Sequence, residues 1–122
     1  ISLTKVMPAL WELLAPPREV FMLVKPQFEA GKQQVGKNGI IKDAKVRTEA
    51  FHRVTIAAIA QGWQFGGMTR SPIQGKTGNR EYWLWLRTDL PQENLPPLPT
   101  LAEISAMTEN ESNVSNITGI EV

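Results

Sequence analysis

The chain has 122 residues, 42% of them hydrophobic, with a net charge of +1, which suits one small folded domain or a piece of a larger one. Without cysteine and with a single histidine, it excludes a disulfide framework and a cysteine-based metal site, and it argues against a histidine-rich metal centre. No apolar run approaches the ~20 residues of a membrane span and no secretory signal is visible, so the expected compartment is the cytoplasm.

Ile1 stands where a complete reading frame has Met, so further sequence is expected upstream. Residues 2–14 are predicted to be a helix, with Val6, Leu10, Leu13 and Leu14 at helical spacing, Ser2 as N-cap and Pro16-Pro17 as its stop. Residues 19–24 (Glu-Val-Phe-Met-Leu-Val) form a nearly continuous apolar run, which predicts a strand buried on both faces, as in a parallel sheet. Residues 25–45, with Gly31, Gly36 and Gly39, read as a long polar loop. Asp43 is placed to cap a helix over 45–61, where Val46, Ala50, Val54, Ala57 and Gln61 mark one face beside Phe51 and Ala58, and Gly62 stops it.

A short strand at 63–69, a loop from Arg70 to Arg80, and an aromatic strand at 81–87 follow. The last two strands have no crossover helix between them, so they are expected to be antiparallel. The order helix, strand, helix, strand, strand is an α/β pattern with a thin sheet, and the apolar strand 19–24 wants neighbours on both sides. After Thr88 the composition changes. Pro91, Pro96, Pro97 and Pro99 suggest an extended linker, and 100–122 read as a disordered acidic tail with at most one helical turn near 100–107. The Asn-x-Ser/Thr triplets starting at Asn110, Asn113 and Asn116 are taken as products of composition. Charge follows the same boundary. Residues 1–88 hold all 13 basic residues and six acidic ones, a balance of +7, whereas 89–122 carry −6. A body this basic suits a polyanion such as RNA, although a merely solvated surface explains it equally well.

Several residues are candidates for chemistry. Lys25 stands at the carboxyl end of strand 19–24, where open α/β sheets bind ligands; partly desolvated there, it can act as a base or face a developing oxyanion, and the bland alternative is a lysine reaching water. Glu81 opens the last strand and, if that strand is antiparallel, shares Lys25's edge and can orient it. Lys32, Lys37 and Lys42, interleaved with glycines, can wrap a phosphate backbone, though their spacing is not that of a Walker loop. Trp63, Trp83 and Trp85 are stacking candidates, with packing under a helix the preferred role for the last two. His52 is taken as a surface or boundary residue.

Together these segments resemble a family. Leu23-Val24-Lys25-Pro26-Gln27-Phe28-Glu29, then Val35-Gly36-Lys37-Asn38-Gly39 and Asp43, are similar to the stretch after the fifth strand of FtsJ-like methyltransferases of the TlyA/haemolysin A type. Ser71-Pro72-Ile73, Gly75, Gly78-Asn79 and Glu81 resemble that family's last loop and strand, and Ile1 to Val6 the start of the helix after its fourth strand. Asn38 departs from the family's usual glycine, mildly, because Asn tolerates positive φ.

The resemblance covers residues 1–88 and implies the C-terminal half of a Rossmann-like methyltransferase domain, with 89–122 as linker and tail. It implies S-adenosyl-L-methionine as cofactor, ribosomal RNA or ribosomal subunits as partner, and transfer of a methyl group to a ribose 2′-hydroxyl. In the family's Lys-Asp-Lys-Glu tetrad, Lys25 looks like the second Lys and Glu81 like the Glu. The other two members and the main cofactor pocket are expected upstream of Ile1, so this stretch alone is expected to be inactive. The alternatives are a non-catalytic RNA-binding module and, less favoured, a cytolysin, for which no long basic amphipathic helix is present.

Overall fold

Ser2 starts the first helix as expected: its hydroxyl accepts from Thr4 N–H, and α1 runs Leu3–Leu13. The chain then turns through Pro16-Pro17, joined by a cis bond, into β1, Glu19–Val24. The computed structural model describes residues 1–73, 78–95, 97–109 and 114–115. Residues 25–45, expected as one loop, instead hold a short helix α2, Pro26–Glu29, two 3-10 turns at Lys32–Gln34 and Lys37–Gly39, and the start of the next helix at Ala44. Pro26 favours the first of these because its ring presets φ at a first helical position. Asn38 takes φ 65°, within the left-handed region its side chain tolerates.

The long helix α3, Ala44–Gln61, begins at Asp43, whose carboxylate accepts from Lys45 N–H, and ends at Gly62 with φ 124°. A Cβ at Gly62 would stand 2.8 Å from the Trp11 ring, so glycine is required there by both backbone and space. Strands β2, Gln64–Arg70, and β3, Tyr82–Arg87, pair antiparallel as expected. The register slips at a bulge between Phe65 and Gly67, where a Cβ on Gly66 would meet the Trp85 ring at 2.6 Å. α4 spans Leu101–Glu109, and a two-residue β4, Val114–Ser115, pairs with β2.

The strand order is β1-β3-β2-β4. β3 is antiparallel to both β1 and β2, so β1 and β2 run parallel with α3 as their crossover. Met22, Val24, Phe65, Met68, Tyr82, Leu84 and Leu86 face one core with Met7 of α1, Phe51, Val54 and Ala58 of α3, and Ile104 and Met107 of α4. The other sheet face carries Phe21 stacked on Trp85 (centroids 5.7 Å apart), with Arg87 4.6 Å from the centre of the same indole.

Three expectations are corrected here. β1 is not buried on both faces between parallel neighbours: it lies at the edge of the described sheet, pairs with β3, and alternates, so Phe21 is 61% exposed while Met22 and Val24 are buried. Trp83 and Trp85 do not lie under a helix; they point with Phe21 to the outer face, where Trp83 is 39% exposed. The tail is not disordered over 101–109, because Ile104, Met107 and Thr108 recur at helical spacing and bury themselves against the body. The triplets at Asn110, Asn113 and Asn116, together with Gly75 and Pro96, involve positions outside the described residues.

Candidate functional site

β1 and β3 are in register from Glu19 opposite Arg87 to Val24 opposite Tyr82. Lys25 directly follows the last paired residue of β1 and Glu81 directly precedes its partner on β3, so the two residues stand at the same end of this strand pair. The topology therefore brings together the two residues that the sequence singled out. Lys25 leaves the strand as the N-cap of α2, half-buried, with its ammonium 5.6 Å from the centre of the Phe28 ring. Glu81 is buried, and its backbone carbonyl accepts from Ser71 N–H at 2.8 Å, closing the loop between β2 and β3.

The two side chains do not form an ion pair with each other. Instead the Glu81 carboxylate accepts from Gln27 Nε2 at 3.1 Å. Gln27 belongs to the Lys-Pro-Gln-Phe-Glu motif, but its part in the site is visible only in the structure. Its other polar atom, Oε1, is buried beside the carboxylate with no hydrogen-bond partner. Such an acceptor carries a desolvation cost that a donor from a ligand or from Lys25 would relieve.

The motif's last residue has a different task. Glu29 is buried; its carboxylate accepts from Leu3 N–H at 2.7 Å and from the Ser2 hydroxyl at 2.6 Å. It thus caps α1, where a negative charge meets the positive end of the helix dipole. Its backbone carbonyl in turn accepts from Arg53 of α3 at 2.5 Å. Ile1, Leu3, Leu23, Lys25, Phe28 and Glu29 line an open hollow of about 180 Å³.

Lys32, Lys37 and Lys42 are exposed on the turns between α2 and α3. That segment is pinned to the approach to β3 by Asn79, 2% exposed, which accepts from Ile41 N–H at 2.9 Å and donates to Gly39 O at 2.8 Å. Asn79 was legible only as a motif letter. Trp63 is in the core, edge-on to Trp11 at 5.3 Å, so it is no stacking platform. His52 is half-buried on α3.

A methyl donor built from a nucleoside and an amino acid needs an enclosed cleft of roughly 300–1,000 Å³. The hollow beside Lys25 is open and does not enclose such a group. The residues around that hollow do not by themselves hold the whole cofactor. Among them, no group of three or more His, Cys, Asp or Glu is arranged to hold a metal ion. No described helix is long and apolar enough to cross a membrane.

The FtsJ-like methyltransferase family model matches residues 1–88. The chain is 44% identical over 88 residues to the 16S/23S rRNA (cytidine-2′-O)-methyltransferase TlyA of Mycobacterium tuberculosis, covering 72% of this chain and 33% of that protein. It is 38% identical over 82 residues to Hemolysin A of Brachyspira hyodysenteriae, covering 67% of this chain and 34% of that protein. A solved structure of a candidate hemolysin from Streptococcus thermophilus superposes with a TM-score of 0.74 at 39% identity, covering 88% of this chain and 38% of that one. A second, from Lactococcus lactis, gives a TM-score of 0.70 at 46% identity, covering 73% and 42%. The chain spans about a third of the length of the curated relatives it matches. With its matched region, its antiparallel strand between two parallel ones and its motif residues gathered at one sheet edge, the chain belongs to the FtsJ-like methyltransferase family and is similar to its TlyA/hemolysin A members.

Proposed function

We propose that this chain supplies part of the catalytic site of a ribosomal RNA ribose-2′-O-methyltransferase, with S-adenosyl-L-methionine as methyl donor. The observation that carries this reading is that Lys25 and Glu81 stand at the same end of the β1–β3 pair, with Gln27 bonded to the Glu81 carboxylate, in a chain of this family. When bound, the donor supplies an electrophilic methyl group; its pocket belongs to the length that the relatives have beyond the matched region, and this stretch alone is inactive. A ribose 2′-hydroxyl is a weak nucleophile at neutral pH. Lys25 accepts its proton or stabilises the oxyanion that develops as the proton leaves. Glu81 orients Lys25 as the reacting groups come together, and Gln27 holds the carboxylate in place. Lys32, Lys37 and Lys42 contact RNA phosphates, which positions the strand without reading its sequence. Ribosomal RNA as substrate places the activity in the cytoplasm.

The test is methyl transfer to ribosomal RNA or ribosomal subunits by the full-length protein carrying this chain. Lys25→Ala and Glu81→Gln should each lower turnover by about 10²-fold or more, the scale of a lost general base or oxyanion partner. Donor binding should stay within about threefold. Normal methylation by Lys25→Ala refutes the assignment. Tight RNA binding by the 122 residues alone, with no activity in the full-length protein, would instead favour the non-catalytic RNA-binding module.

A further inference from the structure

The family match ends at residue 88, yet a ring of polar contacts joins α4, beyond that limit, to the proposed site. Glu109, the last residue of α4, accepts from Arg47 Nε at 3.0 Å and from Arg80 Nη1 at 3.0 Å. Arg47 also donates to Ile41 O at 3.2 Å, while Ile41 N–H donates to Asn79. Asn79 and Arg80 are chain neighbours, so the ring closes through Glu109, Arg80, Asn79, Ile41 and Arg47. It links α3, α4, the basic segment and the approach to β3. Glu81 is one residue past Arg80, and Lys37 and Lys42 flank Gly39–Ile41.

We propose that Glu109 is a positioning residue, which through Arg80 and Arg47 holds Glu81 and the basic segment in fixed relation to each other. This rests on the function proposed above. Arg47 is only 8% exposed, and a guanidinium so buried needs a counter-charge; Glu109 supplies it. Burial pushes the Glu109 carboxyl up, but the hydrogen bond from Arg47, together with the charges of Arg47 and Arg80 and a hydrogen bond from Thr108, outweighs it and holds the group below the usual carboxylate range. Between Gly36 and Lys42 only the Ile41 side chain is buried, so the polar bonds of Asn79 and Arg47 to Gly39 and Ile41 carry much of what fixes this segment's path. One RNA strand that reaches both Lys37 or Lys42 and the Lys25–Glu81 pair requires that path to be fixed, since a 1 Å misplacement can cost about 10²-fold in rate.

The experiment is Glu109→Gln in the full-length protein, which keeps the shape and removes the charge. Exchange of the Ile41 amide should speed up by about tenfold or more, as local opening becomes easier. The KM for RNA should rise or kcat fall by about tenfold in protein that is still folded at the assay temperature, with the KM for the methyl donor unchanged. Glu109→Asp, which keeps the charge, should recover part of the loss. If Glu109→Gln does not fold, Arg80→Gln cuts one arm and leaves the Arg47–Glu109 pair, and the same kinetic pattern is expected from it. Unchanged Ile41 exchange, or normal kinetics in the folded variant, overturns the proposal. Glu81→Gln is measured alongside. If it retains full turnover, the proposed function fails and the positioning role falls with it; if it is inactive while Glu109→Gln turns over normally, the positioning role alone fails.

Discussion

Replacing Glu29 should cost stability before it costs chemistry, and the structure sets the size. The carboxylate accepts from Leu3 N–H and the Ser2 hydroxyl, from a side chain only 7% exposed. A hydrogen bond to a charged group contributes about 1.5–3 kcal/mol, and a carboxylate at a helix N-terminus adds about 0.3–1 kcal/mol. Ser2 recovers part of the loss, because its hydroxyl is half-buried and still bonds Thr4. Glu29→Ala should therefore destabilise by about 2–3 kcal/mol, and Glu29→Gln, which keeps one neutral acceptor, by about 1 kcal/mol. The bond from Arg53 to the Glu29 backbone survives both changes. Urea unfolding followed by circular dichroism, with an unchanged m-value, measures the difference. At a temperature where Glu29→Ala is still folded, turnover should fall less than tenfold, against about 10²-fold for Lys25→Ala. Equal costs for the two Glu29 variants, or a cost below about 0.5 kcal/mol for Glu29→Ala, would refute the capping argument.

Replacing Lys32, Lys37 and Lys42 together by Ala should weaken RNA binding and flatten the slope of log K against log salt by about 2–3, since each phosphate contact contributes roughly 0.7–0.9; an unchanged slope in a filter-binding titration removes these lysines from the interface. Burial, followed by the nearby Glu109 charge, pushes the Tyr82 hydroxyl up to about 12. Its contribution to stability is thus fully present below the unfolded value near 10 and is lost as pH rises through about 12. Tyr82→Phe should remove that alkaline dependence and cost about 1 kcal/mol at neutral pH through the lost bond to Thr108 O, both read from unfolding curves across pH.

The helices α1 and α3, their caps at Ser2 and Asp43, and the stop at Gly62 were legible because capping chemistry is local to a few residues. So was the antiparallel pair β2–β3, since a connection without a crossover helix allows little else. The neighbours of β1 were not legible. A continuous apolar run states that both faces accept apolar contact, but not which partner lies beside it, and β3 returns there from 58 residues further along the chain. Lys25 and Glu81 could be singled out because each marks a strand terminus. The Gln27–Glu81 and Asn79–Ile41 bonds were not, because they join side chains and backbone 54 and 38 residues apart with no periodic trace.

The misjudged segment 101–109 shows how composition can hide a fold. An acidic stretch next to a basic body can remain solvated as two separate charges, or it can dock. What decides is whether the acidic segment also carries apolar residues at helical spacing, because ion pairs at a partly exposed site contribute too little alone. Ile104 and Met107 meet that condition, three residues apart and both buried against the core. Once they anchor α4, Glu109 falls beside Arg47 and Arg80, and part of the charge imbalance between the two segments becomes a contact. The −6 of residues 89–122 is thus in part the complement of the +7 that precedes it. The positive surface that remains is correspondingly narrower than the charge count implied, and it includes Lys32, Lys37 and Lys42, which stay exposed.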